Sequence, residues 1–344
     1  MHATVFHRYG PPDVLTWEEV PDPNYGTDDV VIRVRACGLN HCDLDSRAGT
    51  ARWEFDLPMV LGGEFAGMVA ALGSGVEGLT VGDPVTALQH YFEPPDGRVV
   101  QFGIDRWGGY AEYVCVPAKT VVRLASSDEV EVAAASQTVA STAWRMVTTL
   151  GKVSAGETVL VPSASGGVAS TLVGAAKLCG ARVIATVGGA EKADAVRELG
   201  ADVVFSYQDE PLGDVVQELT SGRGVDCVLD TVGGDLFKEH LHALRHDGRL
   251  VTCGAHAGEI VDLDIVRLFQ HGHRILGFGF PSEAELREAL SQVLAGRLTV
   301  PIAARYPLPE ASCAHVALAE RTHVGKLVLT VPQVESTNGT ERAA

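Results

Sequence analysis

Two adjacent glycines, Gly166 and Gly167, lie in the stretch VPSASGGVAS, between two apolar runs. In a turn from a strand to a helix, glycines let backbone N–H groups approach a pyrophosphate at the helix N-terminus. Ser163 stands where a three-glycine fingerprint has its first glycine, and Ala169 is small enough for close helix packing. A glycine pair alone also fits an ordinary tight turn, but the strand and helix patterns that follow favour dinucleotide binding. The predicted cofactor contacts of this loop are Ser165, Gly166, Gly167 and Val168.

The end of the next strand indicates which dinucleotide is bound. An NAD-selective site usually carries Asp or Glu there, to bond the ribose 2′-hydroxyl. This strand ends at Val187, Gly188 and Gly189, which are uncharged. Lys192 follows within one turn and Tyr207 ends the third strand, where both side chains could bind a 2′-phosphate. We therefore predict NADPH as the cofactor; the alternative is that Lys192 is a solvated helix lysine.

Composition and charge exclude several other classes of protein. The 344 residues are 46% hydrophobic and 21% charged, which is typical of a globular protein with room for two domains. The formal charge of −17 disfavours nucleic acid and acidic membranes as partners. No leader and no apolar run of membrane-spanning length is recognisable, so we expect a cytoplasmic protein. The seven cysteines form no CxxC pair, which argues against a structural zinc site.

The strands and helices around the glycine loop belong to two parts of the chain with different sequence patterns. Residues 1–125 are rich in short β-branched segments separated by glycine and proline, which predicts a small, partly open barrel or irregular sheet. From about residue 130, strand-like and helix-like segments alternate, which predicts an α/β fold with a doubly wound parallel sheet. The predicted strands of that sheet are 157–163, 181–187, 201–207, 225–233, 248–254 and 274–280. A helix over 282–297 and a strand over 325–331 follow, and we expect the polar tail 335–344 to fray.

Several motifs occur in an order that resembles one family along nearly the whole chain. They are CGLNHCDLDSRAG, PMVLGGEFAG, LTVGDPV, WGGYAEYVCVP, SASGGVAS and GVDCVLDTVGG. The sequence resembles the medium-chain dehydrogenase/reductase superfamily, most closely its quinone oxidoreductase-like branch. The resemblance implies a β-rich GroES-like catalytic domain (1–125 and 282–334) split around a Rossmann NADPH-binding domain (126–281), with a flexible tail at 335–344. It also implies a homodimer that pairs through residues 274–280.

The resemblance further implies that no metal is bound. Zinc-containing members of the superfamily hold a catalytic ion at three places, which read Asn40, Gly63 and approximately Val139 in this sequence. Of the residues at and beside these places in the family pattern, Glu64 remains as a possible metal ligand, and a single carboxylate cannot hold a catalytic zinc. His41 and Cys42 adjoin the first place, but neighbouring side chains rarely converge on one ion. We expect a site without metal.

Chemistry without a metal favours activated substrates. A conjugated enone or a quinone accepts hydride at its β-carbon, and one or two hydrogen-bond donors stabilise the resulting enolate. The leading hypothesis is NADPH-dependent reduction of a quinone or of the C=C bond of an α,β-unsaturated carbonyl compound. The alternatives are a specialised biosynthetic enone reductase or redox-neutral enzyme, and a non-catalytic NADPH-binding protein. An alcohol dehydrogenase is the weakest hypothesis, because that reaction needs the zinc ligands that this sequence lacks.

The resemblance places two candidate catalytic residues, Asn40 and Asp43, beside the nicotinamide and the substrate. The Asn40 amide would bond the ribose or a substrate oxygen, whereas Asp43 would orient a water or a hydroxyl, or merely cap a turn. Asp45 stands where related reductases often have an aromatic residue, which suggests a more polar pocket. The predicted substrate pocket comprises His41, Asp45, Trp53, Tyr91 and Val139, although packing roles are open for His41, Trp53 and Tyr91.

Four more residues are expected at the cofactor. Thr142 matches a position near the nicotinamide, and its alternative role is that of an ordinary helix threonine. Phe278, within RILGFGF, is expected to run past the nicotinamide. Arg321 and Lys326, in ERTHVGKLVL, resemble a segment that returns to the cofactor, and we place them at its phosphate end. Either residue is alternatively a surface cation.

Overall fold

The first part of the chain folds into β-sheet around one apolar core. The computed structural model describes residues 1–208 and 211–331. Strand residues here are largely β-branched or aromatic, and burial alternates along several strands, as expected where one sheet face covers a core. The strands are β1 (His2–Phe6), β2 (Thr16–Glu19), β3 (Asp29–Gly38), β4 (Met59–Val60), β5 (Glu64–Leu72), β6 (Pro84–Ala87), β7 (His90–Glu93), β8 (Arg98–Gln101), β9 (Tyr113–Pro117) and β10 (Val121–Arg123). Helix α1 (His41–Ala48) follows β3.

A six-stranded parallel sheet forms the second part. Its strand interiors, such as Leu160 and Ile184, are fully buried because helices cover both faces. The strands are β11 (Thr158–Val161), β12 (Arg182–Val187), β13 (Val203–Ser206), β14 (Val225–Asp230), β15 (Leu244–Thr252) and β16 (Arg274–Gly277). The helices are α2 (Val130–Trp144), α3 (Gly167–Leu178), α4 (Ala193–Glu198), α5 (Leu212–Leu219), α6 (Phe237–His242) and α7 (Ile265–Gln270). The order β13-β12-β11-β14-β15-β16 is that of a Rossmann fold, with its ligand crevice at the carboxyl ends of β11 and β14.

The end of the chain returns to the first sheet. Helix α8 (Glu283–Leu294) is followed by β17 (Ile302–Pro307), α9 (Ala311–Glu320) and β18 (Lys326–Thr330). β18 pairs antiparallel with β3 and parallel with β17, which gives the order β10-β6-β5-β3-β18-β17, with β9 also paired to β3. The β-rich part is therefore assembled from both ends of the chain.

Helix α2 belongs to both cores. Ala133 and Ala134, near its start, pack with Ala36 of β3, while Val139 and Ala143, one to two turns later, pack in the core of the parallel sheet. Small side chains let the helix lie close to both sheets. A π-helical segment, Arg145–Leu150, continues it.

The predicted fold class, a doubly wound Rossmann sheet with a GroES-like β-rich domain, is confirmed. Most predicted strands of the parallel sheet lie within two or three residues of the observed bounds, but β15 begins at Leu244, four residues before the predicted start at 248. β16 ends at Gly277, short of residue 280. The domain limits stay predictions, and the tail 335–344 lies outside the described residues. No helix within residues 1–208 and 211–331 is both long and apolar enough to cross a membrane.

Candidate active site

The glycine loop is a strand-to-helix turn between β11 and α3. Ser163 adopts a left-handed backbone conformation with φ of 50°, which costs a non-glycine residue about 1 kcal/mol. Two hydrogen bonds hold this turn against β12: the Ser163 amide donates to Thr186 Oγ1 (3.1 Å), and the Ala164 amide donates to the Thr186 carbonyl (2.7 Å). A serine therefore fulfils the role of the first fingerprint glycine because its neighbours stabilise the strained conformation.

The two glycines of the loop have different surroundings. A Cβ atom built on Gly166 meets nothing closer than 3.9 Å, so this residue faces open space. A Cβ on Gly167 would lie 3.0 Å from Lys326 Cδ and 3.2 Å from Val139 Cγ1, so glycine is needed there for packing. Gly167 and Val168 open α3, and their N–H groups have no intrahelical acceptor. The loop thus offers free amide donors beside an open surface, as a pyrophosphate requires.

Four residues that the sequence predicted at the cofactor form two separate contacts near the ends of β12 and β13. The Tyr207 hydroxyl lies 3.0 Å from a Cβ built on Gly188. Lys192 Nζ donates to the carbonyl oxygen of Arg321 (2.6 Å), just after α9. An uncharged strand end, a phenol and two cations are the groups that the sequence predicted around a 2′-phosphate.

Lys326 does not lie where the sequence analysis placed it. Its side chain is 3% exposed and donates to Glu64 Oε1, to the carbonyl of Leu39 and to Asn40 Oδ1 (2.8 Å). The expectation of a contact at the phosphate end is therefore corrected: β18 runs beside β3, and its first residue extends past Gly167 into the interior. This lysine is part of the core of the site.

Glu64 is the centre of a buried polar network. The residue is fully buried, and its Oε1 accepts from Asn40 Nδ2 (3.0 Å) as well as from Lys326. Its Oε2 accepts from the Thr138 amide of α2 (2.7 Å), and Thr138 Oγ1 donates to Gln89 Oε1 (2.6 Å). The network fixes the Asn40 amide by both its oxygen and its nitrogen. Sequence reasoning missed Gln89 and Thr138, because nothing in their local pattern distinguishes them from other polar residues.

Asp43 positions Asn40. The Asp43 carboxylate accepts hydrogen bonds from the backbone N–H groups of Asn40 (2.8 Å) and Gly62 (3.3 Å). Asp43 therefore caps α1 and connects it to the loop before β5. Burial raises the pKa of Asp43 to about 6, although the hydrogen bond from the Asn40 backbone opposes this rise. Asp43 is 4% exposed, and the arrangement matches the capping role rather than contact with a substrate.

The metal positions are filled by other groups. Across residues 1–208 and 211–331, no three His, Cys, Asp or Glu side chains converge in a way that would hold a metal ion. Both oxygens of Glu64 accept hydrogen bonds from Lys326, Asn40 and Thr138. The ammonium of Lys326 thus compensates the one carboxylate that the resemblance left as a metal ligand.

Two predicted pocket residues are corrected. Tyr91 is 7% exposed and packs against Phe102 in the core of the first sheet, with its hydroxyl 3.3 Å from Glu93 Oε1. Val139 is buried against Gly167 in the core of the parallel sheet. Each side chain lies on the buried side of its element, a direction that a loop or helix pattern did not reveal, and neither faces an open cleft.

The other predicted residues lie near the junction of the two parts. His41 contacts His256, which follows β15, with ring centroids 4.6 Å apart. Asp45 is exposed one turn further along α1, and Trp53 Nε1 donates to Ser46 Oγ (3.3 Å). Two remaining cofactor candidates, Thr142 and Phe278, lie on α2 and just after β16.

A clamp holds Phe278 in place. Arg145 Nε donates to the Phe278 carbonyl (2.9 Å), and the same guanidinium makes two 2.8 Å bonds to Glu285. Thr149 Oγ1 donates to Glu285 as well (2.6 Å), and Ser282 completes the set. Together these hydrogen bonds lower the pKa of Glu285 to about 2 against the opposing effect of burial. The segment after β16 is therefore anchored to the π-helical end of α2.

Comparison with known proteins defines the class. One family model, described as an alcohol dehydrogenase GroES-like domain, matches residues 26–126, and another, described as a zinc-binding dehydrogenase, matches residues 167–295. The segment that matches the zinc-binding dehydrogenase model, residues 167–295, does not contain Asn40, Gly63 or Glu64, the residues considered above for a catalytic metal. The chain belongs to the medium-chain dehydrogenase/reductase superfamily, which makes it an oxidoreductase.

Relatives place the chain in the quinone oxidoreductase-like branch of that superfamily. It is 32% identical to a probable quinone oxidoreductase of Schizosaccharomyces pombe over 94% of both chains. It is 31% identical to a 2-haloacrylate reductase of a Burkholderia species, over 96% of this chain and 99% of the relative. The crystal structure of Escherichia coli quinone oxidoreductase complexed with NADPH is 29% identical with a TM-score of 0.83, covering 96% of this chain and 100% of the other. A structure named NAD-dependent alcohol dehydrogenase is 35% identical with a TM-score of 0.92 over 96% and 100%.

Proposed function

We propose that the protein uses NADPH, without a metal ion, to reduce a quinone or the C=C bond of an α,β-unsaturated carbonyl compound. The observation that carries this proposal is the buried contact of Lys326 with Glu64 and Asn40. A protein cation stands against the carboxylate at this place, so the residues present do not fit a catalytic zinc. Conjugated substrates need less polarisation than simple alcohols or ketones, which agrees with such a site.

The residues of the parallel sheet fit a dinucleotide. Gly166 leaves space beside the free amides of Gly167 and Val168, and these three residues would hold the pyrophosphate. Lys192, Arg321 and Tyr207 would hold a 2′-phosphate. When bound, NADPH supplies the hydride that adds to the β-carbon of the substrate.

The chain supplies orientation. The network around Glu64 fixes the Asn40 amide, whose oxygen keeps a lone pair for a ribose or substrate hydroxyl. When hydride adds to the β-carbon of an enone, the C=C π electrons delocalise onto the α-carbon and the carbonyl oxygen, and a proton from water then adds to the α-carbon. The charge of the Lys326 ammonium is compensated by Glu64, so this lysine acts by holding the Asn40 side chain in place.

The test of the cofactor assignment is a comparison of dissociation constants. Lys192→Ala and Tyr207→Phe each remove a proposed phosphate contact, and a charge-assisted hydrogen bond is worth about 1.5–3 kcal/mol. We expect the Kd for NADPH to rise about 10- to 100-fold in Lys192→Ala and less in Tyr207→Phe, with the Kd for NADH unchanged. Equal wild-type affinity for the two nucleotides, or a preference for NADH, would contradict the proposal.

The test of the reaction is NADPH consumption with a panel of quinones and enones after dialysis against a chelator. Undiminished turnover after dialysis is the expected result. Stoichiometric zinc that is required for turnover, or turnover restricted to alcohols with NAD, would overturn the assignment. Binding of NADPH without turnover of any substrate would favour the non-catalytic alternative.

A second candidate is a specialised reductase of an acrylate-type double bond. The 2-haloacrylate reductase relative matches the chain over nearly its whole length, and the exposed Asp45 departs from the aromatic residue that related reductases often have. Turnover of 2-chloroacrylate without turnover of simple quinones would favour this candidate.

We also propose a homodimer that pairs through β16. β16 is the edge strand of the parallel sheet, so one side of its backbone has no partner strand in a single chain. The neighbouring helix α7 exposes Ile265, Val266 and Phe269, each more than half accessible. An apolar patch beside an open strand edge is the surface that a second copy would cover.

A further inference from the structure

Two histidines face each other across the junction between the two parts of the chain. His41 is the first residue of α1, and His256 lies in the loop after β15. Their ring centroids are 4.6 Å apart at an interplanar angle of 43°. His41 follows Asn40 directly, so the pair adjoins the residue that the network around Glu64 holds in place. The two imidazoles therefore border the proposed reaction site and are not required by the reduction described above.

Backbone hydrogen bonds hold the loop that carries His256, whose ring is exposed. Its loop packs on the loop after β14: the Gly234 amide donates to the Gly258 carbonyl (3.0 Å), and the Ala257 amide donates to the Val232 carbonyl (2.9 Å). Asp230 in turn accepts from the amides of Val232 and Gly233. Both rings are thus presented by ordered backbone, which is a requirement for a binding site rather than a chance contact.

The charges that face the pair are of both signs. Arg321 acts on both rings from the segment after α9, whereas Lys326, which acts on His41, has its charge compensated by Glu64. His323 also faces His41, but burial lowers the pKa of His323, so this ring is neutral near pH 7. Asp45 of α1 is the acidic group that faces His256, and Arg321 is the cation that acts on both rings.

One ring nitrogen of the pair lacks a hydrogen-bond partner in the described part of the chain. His41 Nε2 is buried and lacks a hydrogen-bond partner among the described residues. A buried polar atom without a partner is destabilising, and such atoms in native proteins usually have a ligand or a water. The atom belongs to the ring that borders the proposed substrate position.

We infer that the His41–His256 pair binds a carboxylate of the substrate, so that the preferred substrate is a conjugated carbonyl compound that carries a carboxylate apart from the reacting double bond. This inference rests on the proposed function for the word substrate, but the anion site itself is independent of turnover. Imidazole N–H groups donate to a carboxylate.

Proton uptake is a consequence of such binding. Burial, and then the neighbouring His256, lower the pKa of His41 to about 3, and burial also lowers the pKa of His256. Both rings are therefore neutral near pH 7 in the free protein. A bound carboxylate favours the protonated form of His256, the more exposed of the two rings, so the complex takes up a proton there and the affinity falls as the pH rises.

The probes are 4-oxopentanoate and its methyl ester, which the reaction cannot reduce further at a C=C bond. Calorimetry on the protein loaded with NADP+ measures Kd at pH 6, 7 and 8, and buffers of different ionisation enthalpy report the protons taken up. We expect the acid to bind at least tenfold tighter than the ester at pH 6, with proton uptake and with weaker binding at pH 8. We expect the ester to show neither effect.

Variants assign the effect to the pair. His256→Gln and His41→Gln should each reduce the preference for the acid at least tenfold, and the two histidines lie in different parts of the chain, so one variant remains informative if the other fails to fold. His2→Gln, in which the replaced histidine stacks on Trp17 in the first sheet, is the matched control and should keep the preference.

Three binding results would overturn the inference. The acid and the ester bind equally, or the preference for the acid is unchanged in both His41→Gln and His256→Gln. Alternatively, the acid binds only without NADP+, which would make the pair part of the cofactor phosphate site. Turnover of (E)-4-oxo-2-pentenoate and its methyl ester separates this inference from the proposed function. If neither is reduced although the acid preference depends on the histidines, the proposed reduction fails and the anion site stands. If the ester is reduced as efficiently as the acid, the inferred preference for a substrate with a carboxylate is refuted, whereas the proposed reduction stands.

Discussion

At the scale of single residues, sequence reasoning placed best the residues that have local signals. Gly166, Gly188, Lys192 and Tyr207 stand at or within a few residues of the ends of predicted strands, so their place at the carboxyl edge of the sheet could be predicted. Their contact with a dinucleotide stays a prediction. Lys326 could not be placed, because its partners Asn40 and Glu64 are 286 and 262 residues away. Contacts at such separations depend on how β18 pairs with β3, which no local pattern specifies.

The Lys326–Glu64 pair should be essential as a pair. In Lys326→Met the Glu64 carboxylate remains buried without its cation, which typically costs about 3–5 kcal/mol. We expect a loss of this size in urea unfolding, with more than half recovered in the double variant Lys326→Met/Glu64→Gln. The control is Lys177→Met, which breaks the half-exposed contact with Asp202 and should cost under about 1 kcal/mol. A Lys326→Met variant as stable as the wild type would show that the pair has no such role.

Asp43 should make stability depend on pH. Its pKa is about 6 in the folded chain against 3.8 for an ordinary aspartate, so the native state holds this proton more tightly than the unfolded state. Its contribution is present below pH 3.8 and is lost as the pH rises through 6, a loss of about 3 kcal/mol at about 1.4 kcal/mol for each pKa unit.

Asp43→Asn should remove this dependence. The free energy of unfolding of the variant relative to the wild type should therefore rise between pH 4 and pH 6.5, whatever the absolute cost of the altered cap. Urea unfolding at several pH values measures it, and parallel curves for the two proteins would contradict the assignment.

At the scale of elements, the parallel sheet was predictable because its strands are continuous apolar runs between glycines. β12 and β13 were found within two residues of their bounds. β15 was shortened in the prediction because its first residues, Leu244–Asp247, include exposed His246 and Asp247 and do not read as a buried strand. The double membership of α2 was not predictable either, because an alanine-rich helix gives no sign of which face meets which sheet.

The two glycines that open α3 should respond differently to substitution. Gly167→Ala forces a methyl group within 3.0 Å of Lys326 and 3.2 Å of Val139, and overpacking of this kind costs about 1–3 kcal/mol. Gly166→Ala has an allowed backbone and open space, so its stability should change by less than about 1 kcal/mol while its Kd for NADPH rises. Thermal unfolding and nucleotide titration of both variants test this pair of outcomes. The opposite pattern would mean that the open side of the loop does not face the dinucleotide.

At the scale of the whole molecule, two cationic residues from distant segments of the acidic chain meet. Lys192 follows β12 of the parallel sheet, whereas Arg321 follows α9 in the returning segment, and Lys192 donates to the Arg321 carbonyl. Net charge alone indicated that polyanions are poor partners; it could not show that these two residues meet. Three-dimensional assembly therefore decides which ligands such a chain accepts.

The oligomeric state is tested by a charge in the exposed patch. Phe269→Glu places a carboxylate in the surface proposed to meet a second copy, and it should shift the protein to monomers in sedimentation velocity experiments. Val81→Glu, at a residue that is 66% exposed in the other part of the molecule, should leave the dimer unchanged. A wild-type protein that sediments as a monomer would refute the proposal.

The return of β18 to β3 has a consequence for biosynthesis. During translation, the first sheet emerges from the ribosome about 200 residues before the strand that completes it, a delay of roughly 10–40 s at ~5–20 residues per second. Until then Ala36, Cys37 and Gly38 of β3 lack their partner strand on the side of β18, and Glu64 has not met its lysine. The nascent half-sheet is therefore a natural client for chaperones, and any pause in synthesis after residue 300 would extend the interval in which it is exposed.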